Sequence, residues 1–379
     1  MTKTITVEVP HPGEYIREEI ETRGWNQRDL AFILGCPPQA VTMILTGKRG
    51  ISADMAKALG DAFGVPAELF VNLQRAYDLA HANDPDPNIS VRAKMQEQYP
   101  VREMIKRGWL TTSDNAPSLD KQLADFFEVT GIDQIPYLAH AAKKTSYEEK
   151  DIPPVQLAWL FRVKQIARSI TVPPYSHSAL VKSVEKMSGM LIVPEEVRHV
   201  PRLLMEAGIR FIMVEPLPKS KIDGVSFWLD NMSPVIGLST RFDRIDNFWF
   251  VLRHEIEHIL QGHGHEIEMI DADMENTPSE NLSQEEQLAN KAASDFCVPS
   301  EKIESFMRRK HPFYYEKDVV AFSKINGIHP GLAVGQIQHR TKQRYDYLRN
   351  YQVKVRHFVL PGSMADGWGQ AVPISIWQK

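Results

Sequence analysis

Cysteine is nearly absent: the 379 residues contain two, Cys36 and Cys297, far apart in the chain. That excludes a disulfide framework and a Cys-rich zinc finger. No apolar run approaches the ~20 residues that span a bilayer, and the start, Met1-Thr-Lys-Thr-Ile5, lacks the hydrophobic segment of a secretory signal. A basic excess is missing too, with 44 Lys and Arg against 48 Asp and Glu and a net charge of −4. A wholly basic nucleic-acid coat protein is excluded, whereas one small DNA-reading module is not. No internal repeat is found. The bulk composition is 43% apolar and 24% charged, enough for real cores. At roughly 100–200 residues per domain, the length predicts two or three domains. A soluble, cytoplasmic protein without membrane association is expected.

Glycine and proline punctuate residues 1–80 into five short helices. Pro12 to Arg23 carries apolar Tyr15, Ile16 and Ile20 before Gly24 stops it. Asn26 can cap a second helix, Gln27 to Leu34, ended by Gly35. Pro38 suits the first turn of a third, which runs to Leu45 and stops at Gly47. Ser52 can cap a fourth up to Phe63, and Pro66 opens a fifth with Leu69, Phe70, Leu73 and Tyr77 at helical spacing. The run Asn83-Asp-Pro-Asp-Pro-Asn88 is a breaker cluster. From about 89 to 170 the pattern is helical and carries no evident chemistry. Ile209 to Val214, Gly224 to Leu229 and Pro234 to Ser239 then read as strands. A long helix follows, from about Asp246 to Gln261.

That helix contains His254-Glu255-Ile256-Glu257-His258. Histidines at i and i+4 share one helix face, so both imidazoles can reach a single ion. Glu255 adjoins the first of them, placed to deprotonate a water whose pKa zinc lowers to about 7. The alternative is an exposed Glu/His face, which the flanking Phe248, Val251, Leu252, Ile256, Ile259 and Leu260 disfavour. For a third ligand, the next helix (Ser283 to Phe296) offers Glu286, with Asn290 one turn on to support a ligand from outside. Ser283 and Glu286 also form a capping-box pattern, in which the glutamate would bond backbone instead. Glu285 is the fallback ligand. Glu266, Glu268, Asp271 and Asp273 read as a solvated acidic loop, and His263 and His265 as loop histidines or outer supports.

The segments Gly224-Val-Ser-Phe-Trp-Leu229, Pro234-Val-Ile-Gly-Leu-Ser239, Phe250 to His263 and Glu286-Gln-Leu-Ala-Asn290, with Ala293, Phe296 and Pro299, resemble the ImmA/IrrE family of zinc metallopeptidases. The resemblance covers about 175–310. It implies His254, His258 and Glu286 as zinc ligands, Glu255 as general base, and cleavage of a regulatory protein under a stress cue. Cys297-Val298 stands where that family usually has a more aliphatic pair.

Gln27–Leu34, Gly35-Cys36-Pro37 and Pro38–Leu45 have the form of a helix–turn–helix, whose second helix lies in the major groove. Val41, Ile44 and Leu45 are needed inside, which leaves Gln39, Thr42 and Met43 to face bases. Lys48 and Arg49, with Gln27 and Arg28, would meet the phosphate backbone. Residues 1–80 hold eight basic side chains against ten acidic ones, so a non-specific binder is disfavoured and a small protein-interaction domain is the alternative. His11 to Glu19, Gln27-Arg-Asp-Leu-Ala31, Ile44 to Ile51 and Leu69 to Asp78 resemble the HigA-type antitoxin domain of the XRE superfamily. That likeness implies a homodimer that binds palindromic operator DNA and, in many members, neutralises a toxin. Pro37-Pro38 departs from the polar residues usual there.

In the last third, His329 to Arg340 resembles the closing segment of such fused proteins, and Trp368 to Trp377 reads as a final strand. Tyr314 and Tyr315 are candidates to stabilise an oxyanion. Together these features predict a mainly α protein with a small α+β domain. An all-α helix–turn–helix domain spans 1–82 and a helical linker 83–174. A zincin-like α+β metallopeptidase domain of gluzincin type, with a small sheet, spans 175–310. A C-terminal extension over 311–379 packs on it. An extended substrate is expected to add beside Pro234, Val235, Ile236, Gly237, Leu238 and Ser239, read as an edge strand. The expected function is a DNA-binding, antitoxin-like regulator whose zinc endopeptidase cleaves a protein partner or itself. The alternative is a non-catalytic repressor whose zinc domain binds a toxin or senses a ligand.

Overall fold

The computed structural model describes residues 9–112, 116–131, 153–265, 269–272, 282–341 and 347–371. The chain divides into two compact units, Met1–Pro87 and Asn88–Lys379, with the division inside the breaker cluster.

Among the described residues the first unit has five helices: α1 (Pro12–Thr22), α2 (Gln27–Ile33), α3 (Pro38–Leu45), α4 (Ala53–Phe63) and α5 (Ala67–His81). Local chemistry sets its boundaries. Asn26 and Asp29 close a reciprocal capping box at the start of α2, satisfying backbone donors that the helix itself leaves open. Ser52 accepts from the Met55 N–H at the start of α4. Between α2 and α3 the chain reverses at Gly35, whose φ of +64° a side chain would disfavour. The inward stripes of all five helices meet in one core that includes Ile16, Leu30, Val41, Ile44, Leu59 and Phe70. Each such side chain contributes about 1.5–3 kcal/mol on burial.

In the second unit α6 (Ile89–Gln98), α7 (Val101–Lys106), α8 (Ala116–Phe126), α9 (Pro154–Ser169), α10 (His177–Ser188) and α11 (Val200–Glu206) precede the first strand. Then come β1 (Arg210–Val214), β2 (Ile222–Trp228), β3 (Pro234–Leu238), α12 (Ile245–Leu260), β4 (Met269–Ala272) and α13 (Gln284–Cys297). The chain continues through α14 (Ser300–Lys310), α15 (Glu316–Asn326), α16 (Pro330–Thr341), α17 (Arg356–Val359) and β5 (Met364–Asp366). The strand order is β4-β2-β3-β1-β5. β1 runs parallel to β3 and β5, and β2 is antiparallel to β3 and β4.

Both faces of this sheet are buried, and alternation along each strand decides which side chain faces which layer. Phe211, Met213, Ile236 and Leu238 join the core built with α10 to α17. Ile212, Val214, Val225, Phe227 and Val235 join a second core built with α6 to α9. The helices expected as a linker thus supply one covering layer of the sheet. Trp159 on α9 anchors that layer by donating to the Val214 carbonyl at 3.0 Å. Arg162 pairs with buried Asp366, which also accepts from Trp109 Nε1 at 3.1 Å.

Two strand expectations need correction. β3 is central, hydrogen-bonded to β2 on one side and β1 on the other. Pro234 to Ser239 therefore have no free edge on which a substrate strand could add. Among the described residues the last strand is β5, before Trp368; residues 368–371 of the expected strand form a turn, and 372–377 fall outside the described residues. No helix among the described residues is long and apolar enough to cross a membrane.

Candidate functional site

α12 passes through the core of the second unit, and its apolar residues Phe248, Trp249, Val251, Leu252, Ile256 and Ile259 are buried. The same burial encloses polar side chains: His254, Glu255 and His258 are each 0% exposed. Their rings and carboxyls converge with two more acids. The Nε2 atoms of His254 and His258 lie 3.0 Å apart. Glu286 on α13 places Oε1 3.5 Å from His258 Nε2 and Oε2 3.6 Å from His254 Nε2. Asp271 on β4 places Oδ2 3.2 Å from His254 Nε2. One donor atom from each of His254, His258, Asp271 and Glu286 lies within 4.8 Å of all the others.

These spacings fit a metal ion. Four donors bonded at 2.0–2.2 Å in a tetrahedron sit about 3.3–3.6 Å apart, close to the separations found here. The charge argument agrees. Three carboxylates, Glu255, Asp271 and Glu286, are buried beside two imidazoles, and each buried ion costs several kcal/mol without a compensating charge. Two imidazole nitrogens, two carboxylates and a divalent cation satisfy one another, and the mixed N/O set suits zinc.

Glu255 stands against β2 rather than in the ligand ring. A Cβ on Gly224 would lie 2.1 Å from Glu255 Oε1, so only glycine admits the carboxyl there. Among the described residues neither Glu255 oxygen accepts a hydrogen bond of ordinary geometry, although the Ser226 hydroxyl and the Asp271 carboxyl lie beside it. Burial first, then the charge of Asp271, pushes its carboxyl well above the usual 4.5. A dication beside it would act in the opposite direction.

Of the two alternatives raised by its sequence context, the Glu286 side chain follows the one that faces the histidines and closes no reciprocal capping box. Its backbone N–H is capped by Ser283 Oγ at 3.2 Å, yet its carboxyl turns to the histidines. Asn290 is half-buried and makes no hydrogen bond to the cluster among the described residues. Support comes instead from His263, whose Nδ1 lies 3.0 Å from His258 Nδ1 and whose Nε2 faces Glu285 Oε1 at 3.9 Å. Burial and then His258 hold His263 below the ordinary imidazole value of 6.5. Neutral His263 can thus accept from His258 Nδ1–H, leaving His258 Nε2 free for a metal.

Asp271 corrects the expectation of a solvated acidic loop: it is 0% exposed. The pair Met269-Ile270 just before it was the available signal, a short apolar run that pulls its neighbour into the sheet. Glu266, Glu268 and Asp273 lie outside the described residues. His265 stacks on Trp228 with ring centroids 4.0 Å apart. Tyr314 is buried beside Phe306, and Tyr315 is 59% exposed beside Phe313. Neither tyrosine contacts the cluster among the described residues.

In the first unit Gln27, Arg28, Gln39, Thr42, Lys48 and Arg49 are exposed and Met43 is half-buried. The Thr42 hydroxyl lies 3.0 Å from Gln27 Oε1, which brings the start of α2 onto the outer face of α3. Lys48 and Arg49 follow α3, with both backbone N–H groups on the Met43 carbonyl at 2.8 and 3.1 Å.

Residues 16–70 match the helix-turn-helix family and residues 205–323 match the IrrE N-terminal-like domain. Virulence-associated protein I of Dichelobacter nodosus is 38% identical over 82 residues, which cover 21% of this chain and 76% of that protein. An uncharacterised HTH-type transcriptional regulator of Escherichia coli K12 is 32% identical over 73 residues, covering 19% of this chain and 78% of its own length. Among solved structures, the Pseudomonas aeruginosa antitoxin HigA with its higBA promoter is 34% identical, covering 24% of this chain and 90% of that one, with a TM-score of 0.19.

Proposed function

We propose that this chain, which belongs to the helix-turn-helix family through its first unit and carries an IrrE N-terminal-like domain in its second, is a DNA-binding, antitoxin-like regulator with a zinc-dependent endopeptidase centre. The observation that carries the catalytic half is the buried cluster of His254, His258, Asp271 and Glu286 with Glu255 beside it. Zinc held there would polarise a peptide carbonyl and acidify a water. Glu255 is the proton carrier. Buried beside the cluster, it would take a proton from the attacking water and return it to the leaving amine. Its seat against Gly224 fixes where that transfer happens. Since β4 is the outermost of the described strands and lies beside the cluster, an extended substrate would reach the centre there, not along β3.

For the regulatory half, Gln39 and Thr42 are exposed on α3 to read base edges, and Arg28, Lys48 and Arg49 flank them for phosphates. Such a module would bind a two-fold operator site as a homodimer. The protein partner is a regulatory substrate, a toxin or the chain itself. Glu255→Gln tests the coupling of the halves. It should retain zinc and operator binding and abolish cleavage of a co-expressed partner. If it relieves repression as well as the parent does, proteolysis is not the switch and the zinc unit is a binding module.

A further inference from the structure

We infer that Asp271 is a fourth protein ligand of the metal, so that the resting centre is closed to water. This builds on the zinc-centre function proposed above. Groups that merely support a metal-bound histidine bond its other ring nitrogen, as His263 does at His258 Nδ1. Asp271 does not. Its Oδ2 faces His254 Nε2, the nitrogen that turns towards His258 and Glu286. At 3.2 Å it stands closer to that nitrogen than the Glu286 oxygen does at 3.6 Å. Two imidazoles and two carboxylates complete a tetrahedron, whereas a hydrolytic zinc site keeps one position open.

The element that delivers Asp271 is suited to withdraw it. β4 has four residues, ends the sheet and pairs with β2, opposite Gly224, Val225 and Ser226. The ladder is irregular between Ile222 and Gly224, beside the Asp271 pair. Among the described strands β4 is outermost and paired on one side only, so its displacement would leave the pairing of β2, β3, β1 and β5 intact. Shifting β4 would remove the carboxylate and open a coordination position without disturbing α12 or α13, which hold the other three ligands. Latency would thus reside in the coordination sphere itself.

Cobalt(II) substitution of the full-length chain tests this, with azide as the probe of an open position. The parent protein should give a four-coordinate visible spectrum that azide leaves unchanged. Asp271→Ala and the shape-preserving Asp271→Asn should bind zinc at least about ten-fold more weakly, and their cobalt spectra should respond to azide. An azide-responsive or five-coordinate parent spectrum overturns the inference, and that measurement needs no variant. So do folded Asp271 variants whose zinc affinity stays within about two-fold of the parent. A parent chain that takes up neither zinc nor cobalt would instead overturn the metal centre as a whole.

Discussion

Replacing Gly224 by alanine places a methyl group 2.1 Å from Glu255 Oε1 and 2.9 Å from its Cδ, where ordinary contact begins at 3.4 Å. The shortfall at Oε1 is about 1.3 Å (3.4 − 2.1), too large for a few tenths of an ångström of give. The same methyl would also lie 3.0 Å from Val251 Cγ1. Glu255 must therefore leave its seat, or β2 must move. Overpacking of this kind costs about 1–3 kcal/mol. A misplacement of about 1 Å in a reacting group can lower turnover about 100-fold. The expected variant keeps its zinc, since His254, His258, Asp271 and Glu286 are all unsubstituted, melts earlier and cleaves poorly. A double-mutant cycle with Glu255→Ala isolates the cause. If the clash is with the Glu255 carboxyl, Gly224→Ala should be nearly neutral once that carboxyl is gone. Equal destabilisation in both backgrounds, by urea denaturation, would refute the reasoning and place the strain in the strand itself.

Other expectations follow from the same geometry. Metal analysis should find about one zinc per chain, strongly reduced in His258→Ala and Glu286→Gln; an unchanged content in Glu286→Gln would leave Asp271, not Glu286, as the third ligand. In the metal-free protein, Glu255 holds its proton above 4.5, so its stabilising contribution is full below that pH and is lost as pH rises through the elevated folded-state value. Urea denaturation across pH should show this loss in the parent, its disappearance in Glu255→Gln, and its reduction when zinc is added. On operator DNA, Gln39→Ala should relax sequence preference, while Lys48→Ala should weaken all sequences alike and reduce the salt slope by about 1. Footprinting without a protected two-fold site near the chain's own promoter would sink the repressor half.

Much of this molecule is written in short-range chemistry. The Asn26 and Ser52 caps, the glycine stop after α2 and the 3.6-residue apolar stripes act within one or two turns, so the helices of the first unit could be placed from residues alone. The same holds for His254, Glu255 and His258, because their spacing on one helix already fixes their mutual geometry. Glu286 is legible as a candidate, but its place beside the two histidines is not, since a capping glutamate has the same local pattern. The rest depended on contacts between distant segments. An apolar strand such as Pro234–Leu238 reads alike at an edge or in the centre, and only pairing with β1 and β2 closed both its sides. Helices α6 to α9 show no chemistry of their own and become meaningful as a layer over the sheet. Asp271 is one acid among several in an acidic stretch until β4 pairs with β2 and the two-residue alternation turns it inward. A side chain's local pattern sets what it can do, whereas its partners across the sheet are chosen by long-range pairing, which leaves no periodic signature around that residue.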